Sequence, residues 1–498
     1  MYFKDLREFI AKVDELGELE RVNGAGLDLE IGGIYALNGE AKNPKLMLFD
    51  EIPGYPKGFR ITTNIIASRA RGRLAANIPL DLEGAALRSF LENRLVGKKA
   101  VPPEWVASGP VLENVMEGND VDLSKFPAPL WHELDGGPYI GTASACLELD
   151  PYEGWVNIGS YRSQVFDRNH IGYHTAHGHH GQVIRDHYFE QGLDCPVVIS
   201  MGQEPSLLVA TAENEPWGVS ELDMCGWMRG APVPVVKGKT GIPIPANSEF
   251  VVEGYIMHPD HEPMRPEGSF GEGGGHYQHI GGISAPVVRV DTVYYRNDFI
   301  LCGEPPYKRV GRDGSGAPSG NVALLKAIRD AGFHDIVGIG NAGPFMAVAV
   351  HQMYAGHAKR VADFLMSGIN NRPPRFLVLV DEDVDVHDPR EVFWAVSTRT
   401  DPEESVHVYK GNWISATSPR PAPHKYEVPL EHGLTMGCVL IDATKPFAWK
   451  EHFPPVNDVS PGLRKRILEK WSEYLPDDVV NSSSSKAAVA MGTTREQM

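Results

Sequence analysis

The sequence predicts a multidomain chain of mixed α+β and α/β class, with a β-rich centre between two α/β parts. Three observations carry this expectation: a length beyond one core, a switch to short strand patterns near residue 115, and a later alternation of strand and helix patterns. At 498 residues the chain exceeds the prior of roughly 150 residues per domain several-fold. Near the start, Leu6, Phe9, Ile10, Val13 and Leu16 have the spacing of one helix face, and the runs 45–49 and 59–64 read as strands. A Pro-containing stretch at 101–105 comes near the end of this first α/β domain, residues 1–115. Across 116–312 short strands at 197–201, 249–257 and 287–295 lie between Gly- and Pro-rich turns, the rhythm of a β-barrel or sandwich. Residues 303–321 are rich in Gly and Pro with little periodicity and read as a long mobile loop, of the kind that often covers an active site. A helix at 322–331, a strand at 345–350, a helix at 357–369 and a buried strand at 376–380 predict an α/β domain with parallel pairing over 313–460. Leu463, Ile467, Leu468 and Trp471 stripe a last helix, and the Ser-rich end from 481 reads as a frayed tail, completing 461–498.

Composition excludes several functions. Apolar residues at 42% and charged residues at 22% match ordinary globular chains, so most of the sequence can bury a core. A formal charge of −18 repels a phosphate backbone, which argues against nucleic acid as a partner. The five cysteines are odd in number and never spaced as C-x-x-C, which fits neither a disulfide framework nor a zinc ribbon and predicts a reducing cytoplasm. The amino terminus does not read as a signal peptide, and no apolar run nears the ~18 residues that would nominate a membrane span. A cytoplasmic protein without a membrane partner is expected.

Three segments concentrate polar residues that a scaffold alone does not need: 157–162 (N-I-G-S-Y-R), 174–187 with Glu221 downstream, and 266–272 (P-E-G-S-F-G-E). His174, His177, His179, His180 and His187 invite a metal reading, but no Cys or paired His motif at zinc spacing accompanies them. One histidine joined by an amide oxygen and a carboxylate from distant segments is the more plausible set; such mixed donors suit Mn²⁺ or Mg²⁺ and leave positions for a phosphate. Glu267 and Glu272 stand five apart among glycines that allow tight turns, so both carboxylates can reach one cavity; a solvated surface turn is the alternative. In a shared low-dielectric site one carboxyl keeps its proton and can act as a general acid, while a cation such as Arg162 holds the other as the anion. Other motifs fail by counting. Ser319 stands where a dinucleotide fingerprint needs its third glycine, Val233 where a P-loop needs its first, and no G-x-S-x-G elbow occurs. Asp381, Asp383 and Asp385 open like a calcium loop, but Val386 and Val392 occupy its turn glycine and bidentate glutamate, so a solvated turn is expected.

Together these segments resemble the UbiD family of reversible decarboxylases, from Phe3 to about Trp471. The resemblance is carried by Leu16 to Arg21, F-P-A-P at 126–129 with D-G-G at 135–137, N-x-G-x-Y-R-x-Q-V at 157–165, Ser220-Glu221 before M-R-G at 228–230, the 266–272 segment, D-E-D-V-D at 381–385 and 394–399. It implies a prenylated FMN, made by a separate flavin prenyltransferase and held in a central split β-barrel flavin-binding domain. Mn²⁺ and K⁺ would clamp its phosphate, and the C-terminal α/β domain would make a homo-oligomer, dimer or hexamer. Matched to the family, Asn157, His180 and Glu221 become metal ligands; Asn157, Ile158, Ser160, Tyr161, Arg162, His179, His180 and Glu221 line the cofactor; and Arg162, Glu267 and Glu272 form a catalytic network. The implied reaction releases CO₂ from a small aromatic, heteroaromatic or α,β-unsaturated carboxylic acid, with Arg162 orienting the carboxylate beside Glu267 and Glu272 delivering a proton to carbon. Two departures stand out: Cys438 lies in the stretch where relatives commonly carry a lysine, and Gly273, Gly274 and Gly275 follow Glu272, implying a roomier pocket that favours a ring acid over a cinnamate. Gly273 is a candidate pocket residue and Phe453 a candidate gate. The competing functions are a flavin-independent, metal-dependent lyase or hydrolase that uses the two glutamates, and a catalytically silent assembly partner.

Overall fold

The computed structural model describes residues 2–475 apart from 176–177, 214, 273–274, 278–280, 309–318, 343, 368–372, 415–433, 455 and 457–460. The fold is mixed α/β and multidomain. It divides into two compact units, one built from Met1–Leu80 and Lys98–Ala317, the other from Asp81–Gly97, Pro318–Ile414 and Gly433–Met498. Most of the expected loop at 303–321 and all of the expected tail from 481 lie outside the described residues.

The first unit opens with the helix Leu6–Glu15, capped by Asp5, whose side chain accepts the Glu8 backbone N–H and so satisfies one of the free donors of the first turn. Leu6, Phe9, Ile10 and Val13 are buried as their spacing predicts, while Leu16 lies past the helix end and is exposed. The strands Leu19–Asn23, Leu46–Asp50 and Arg60–Thr63 form a sheet whose fourth member, Ile300–Gly303, arrives from far along the chain to pair in parallel with Arg60–Thr63.

The β-rich centre is a seven-stranded sheet. It runs from His170–Gly172 through Val287–Tyr295, Phe250–Ile256, Cys195–Met201 and Ala145–Leu149 to Val156–Gly159, with Asn114–Glu117 added beside Val287–Tyr295. Beyond Gly159 the chain turns back, and single bridges join Arg162 to His174 and Val165 to Ile171. Aromatic packing holds this centre: the fully buried Phe126 has the rings of Phe59, Phe250, Tyr295 and Phe299 between 4.8 and 6.2 Å away. Such edge-on and offset arrangements stabilise beyond area burial alone.

The second unit carries a five-stranded sheet in the order Ile336–Ala342, Phe345–Val350, Phe376–Asp381, Leu434–Ala443, Val406–Ile414. Its three central strands run parallel and its edges antiparallel. Because Phe376–Asp381 is covered on both faces, Leu377 and Leu379 join one apolar cluster and Val378 and Val380 the other. The helices Ser319–Asp330 and His357–Met366 contribute to the first cluster, and Pro389–Arg399 to the second. The expected solvated turn is present at 382–384 with Asp383 exposed, but Asp381 departs from it. Asp381 is buried and accepts the Gln352 side chain at 2.8 Å, the Lys445 backbone N–H at 2.7 Å and Arg399 at 3.3 Å. Arg399 also pairs with Asp383 at 2.8 and 2.9 Å, so one guanidinium ties both aspartates into the fold. Among the described residues no helix is long and apolar enough to cross a membrane.

Candidate active site

The strand Val156–Gly159 and the turn after it supply Arg162, and a short hairpin supplies the two glutamates. In that hairpin Arg265–Glu267 pairs with Ile283–Ala285, placing Glu267 opposite Ile283. The Arg162 guanidinium grips Glu267 through two bonds, Nε to Oε1 at 2.6 Å and Nη2 to Oε2 at 3.1 Å, and donates Nη1 to Glu272 Oε1 at 2.7 Å. The Glu267 side chain is fully buried, while those of Arg162 and Glu272 are 9% and 12% exposed, so the triad opens only narrowly to solvent. Burial opposes the Arg162 charge, but the bonds and charges of Glu267 and Glu272 outweigh it and hold its pKa above the ordinary value. Among the described residues three of its five N–H donors are used, leaving one on each terminal nitrogen for an incoming carboxylate.

The hairpin is held by close backbone contact. A Cβ on Gly136 would lie 2.1 Å from the Gly268 Cα, and one on Gly268 would lie 2.2 Å from the Gly136 Cα, so only glycine fits on either side. The Gln164 side chain bridges the same two glycines, accepting from the Gly268 N–H at 2.7 Å and donating to the Gly136 carbonyl at 3.1 Å. Gly275, at φ +73°, turns the chain just after Glu272. Tyr139 donates its hydroxyl to Glu267 at 3.4 Å and to the Gly268 carbonyl at 3.2 Å, and its ring lies 4.3 Å from that of Phe270. Burial, then the Glu267 charge, raises the Tyr139 pKa well above a free phenol's, so it stays a donor. Phe270 also lies under the Arg162 guanidinium at 5.4 Å, a cation–π contact.

The second cluster grows from the same strand. Asn157 is buried and donates its amide to Glu148 Oε2 at 2.8 Å, while the Ile158 backbone N–H donates to Glu221 Oε2 at 2.8 Å. Glu221 opens the helix Glu221–Arg229, and His180 opens the helix His180–Phe189; both helices pack on Val156–Gly159. Burial drives the Glu221 pKa up to about 7, and among the described residues no Lys or Arg is paired with it. The His180 ring stands 5.6 Å from Trp155 and 5.3 Å from Trp217, and burial lowers its pKa, favouring the neutral imidazole that can ligate a metal. Among the described residues the buried Trp155 Nε1–H has no hydrogen-bond partner. An amide, a neutral imidazole and an uncompensated carboxylate on adjoining elements suit a hard or borderline divalent cation, and the unpaired indole donor suits a phosphate oxygen.

Family models match three consecutive segments. They are the 3-octaprenyl-4-hydroxybenzoate carboxy-lyase N-terminal domain over residues 10–87, its Rift-related domain over 104–307 and its C-terminal domain over 325–443. The chain belongs to the UbiD family of carboxy-lyases. A phenolic acid decarboxylase of Streptomyces sp. (strain D7) is 31% identical over 468 residues, covering 90% of this chain and 93% of its own. A pyrrole-2-carboxylic acid decarboxylase of Pseudomonas aeruginosa is 30% identical, covering 80% and 83%. Among solved structures, an evolved dimeric form of the UbiD-class enzyme HmfF from Pelotomaculum thermopropionicum, in complex with prFMN, aligns with a TM-score of 0.76 at 25% identity over 95% of this chain and all of that one.

Within this UbiD chain the remaining expected residues separate. Tyr161 is buried, and a Cβ on Gly159 or Gly181 would run into its ring, so those glycines box it in. His179 caps the His180 helix with its ring 6.4 Å from that of Tyr161, and Ser160 is exposed. Gly273 and His177 lie outside the described residues. Phe453 belongs to the second unit, where its ring stacks on Trp449 at 5.1 Å, and Cys438 is buried in the apolar cluster of that unit's sheet. Sequence reasoning missed Glu148, Tyr139 and Tyr173. Glu148 had a legible signal, a lone charge inside the apolar strand Ala145–Leu149. The two tyrosines had none, because a core tyrosine and a site tyrosine look alike until the partner acid is placed.

Proposed function

We propose that this UbiD-family protein catalyses the reversible non-oxidative decarboxylation of an aromatic or heteroaromatic carboxylic acid, using prenylated FMN obtained from a flavin prenyltransferase. The observation that carries the reading is Arg162 held between Glu267 and Glu272, with two N–H donors left unused by the described residues. In this reading the seven-stranded sheet is the split barrel of the flavin domain. Asn157, His180 and Glu221 would hold Mn²⁺, which together with K⁺ would neutralise the cofactor phosphate; the Trp155 donor, without a hydrogen-bond partner among the described residues, and Glu221, without a paired Lys or Arg among them, support that assignment. The substrate class is supported by two relatives named for a phenolic acid and for pyrrole-2-carboxylic acid.

The bound cofactor supplies the electron sink that loss of CO₂ from carbon requires. Arg162 receives the substrate carboxylate on its free N–H pair, and the two-point grip of Glu267 fixes the guanidinium plane. The C–CO₂ bond breaks with its electrons left on the substrate carbon, and Glu272 in its acid form gives that carbon a proton. Tyr139 adds a hydroxyl donor to the Glu267 oxygen that Arg162 Nε also holds. The reading includes self-association through the second unit, where the edge strand Val406–Ile414 exposes Val406 and Val408; light scattering measures that order.

The test is co-expression with a flavin prenyltransferase, followed by mass spectrometry of released small molecules, metal analysis and a screen of aromatic acids for CO₂ release. Prenylated FMN with manganese and CO₂ from a ring acid is the expected result. A colourless, flavin-free metal form that turns over the same acids overturns it.

A further inference from the structure

Glu148 belongs neither to the acid pair nor to the ligand set proposed above, yet it touches the elements that carry two of those ligands. The pairing of Ala145–Leu149 with Val156–Gly159 sets Glu148 directly opposite Asn157. Its side chain is fully buried, and both carboxylate oxygens accept: Oε2 from the Asn157 amide at 2.8 Å, Oε1 from the Tyr173 hydroxyl. On the other side, a Cβ on Gly181 would lie 2.8 Å from Glu148 Oε1, so the first turn of the His180 helix rests on the carboxylate.

A carboxyl group buried in a strand is costly when, as for Glu148 among the described residues, no Lys or Arg forms an ion pair with it, and an apolar residue at that point would be the cheaper way to fill a core. Its presence calls for a task that needs an acceptor. An asparagine amide can ligate a cation only through its oxygen, since the NH₂ end offers donors and no usable lone pair. An acceptor behind the NH₂ end decides which way the amide faces.

We infer that Glu148 is a positioning residue for the divalent-cation site: it turns the Asn157 amide so that Oδ1 faces the cation, and it seats the helix turn that presents His180. The inference rests on the ligand set Asn157, His180 and Glu221 proposed above. One buried carboxylate thereby sets the aim of one ligand and the height of another, while the Ile158 N–H anchors the third.

The test is Mn²⁺ titration of the full-length protein at saturating FMN, followed by electron paramagnetic resonance of free Mn²⁺, with thermal melting alongside. Glu148→Gln, whose amide can face Asn157 with either end, is expected to weaken Mn²⁺ binding about 10- to 100-fold, the usual consequence of losing an outer-shell partner, with the Tm within a few degrees of wild type. Wild-type affinity in Glu148→Gln, while Asn157→Ala and Glu221→Gln lose binding, overturns the positioning role and leaves the ligand set standing. Wild-type affinity in Asn157→Ala and Glu221→Gln overturns the ligand set and, with it, the role of Glu148. Should Glu148→Gln fail to fold, Tyr173→Phe decides: a several-fold weaker affinity at unchanged Tm supports the inference, and an unchanged affinity overturns it.

Discussion

Glu267 and Glu272 share one guanidinium, but the geometry gives them different work. Glu267 is fully buried and held by Arg162 at both oxygens, which suits a fixed counter-charge; Glu272 meets Arg162 through one oxygen and keeps a rim of solvent exposure, which in the proposed reading suits a group that must gain and lose a proton. Glu272→Gln keeps the shape and removes the acid, so turnover in a CO₂-release assay is expected to fall at least 100-fold, in line with loss of a general acid, while the flavin spectrum persists. A second residue-scale prediction concerns Glu204, buried beside Cys225 and Arg229. Burial raises its pKa above the usual 4.5 despite Arg229. A carboxyl raised in the folded state contributes stability that is present below the unfolded pKa and lost as pH rises through the folded one. The Tm of Glu204→Gln relative to wild type is therefore expected to shift in the variant's favour from pH 4.5 upward, as read by melts at a series of pH values. Legibility was mixed at this scale. Arg162, Glu267 and Glu272 could be named from motif resemblance and do meet, whereas Glu148 joined the picture only once strand register put it across from Asn157.

Among the elements, the glycine contact between residues 136 and 268 is what sets the acidic hairpin against the chain leading to Tyr139. Gly136→Ala drives a methyl into backbone that cannot step aside, so a loss of about 1–3 kcal/mol is expected in a urea titration, together with displaced Glu267 and lower kcat. Strands with strong apolar runs were visible in the sequence, and Val287–Tyr295 and Phe345–Val350 fall where their patterns predict. The pairing of Ile300–Gly303 with Arg60–Thr63 was not visible, since strand patterns say nothing about which distant strand is a neighbour. The turn after 376–380 was legible from its polar composition, but the burial of Asp381 was not, because Arg399 and Gln352 lay too far along the chain to be counted as partners.

For the whole molecule, two units with separate apolar clusters give two separate stability problems. Leu379 is fully buried at the centre of the parallel strands of the second unit, and Leu379→Ala is expected to cost about 2–5 kcal/mol by chemical denaturation. A loss below about 1 kcal/mol would mean that this cluster is not the core it looks to be. By itself the sequence determined the class of the fold, the order of its main elements and the polar segments worth following, because periodicity and motif are local and survive in a one-dimensional string. Only the tertiary structure decided which strands are neighbours, that one guanidinium grips two carboxylates, and that a buried glutamate backs the Asn157 amide. Those facts depend on register and burial: register sets Glu148 across from Asn157, and folding brings Arg162 within hydrogen-bonding distance of glutamates more than 100 residues away.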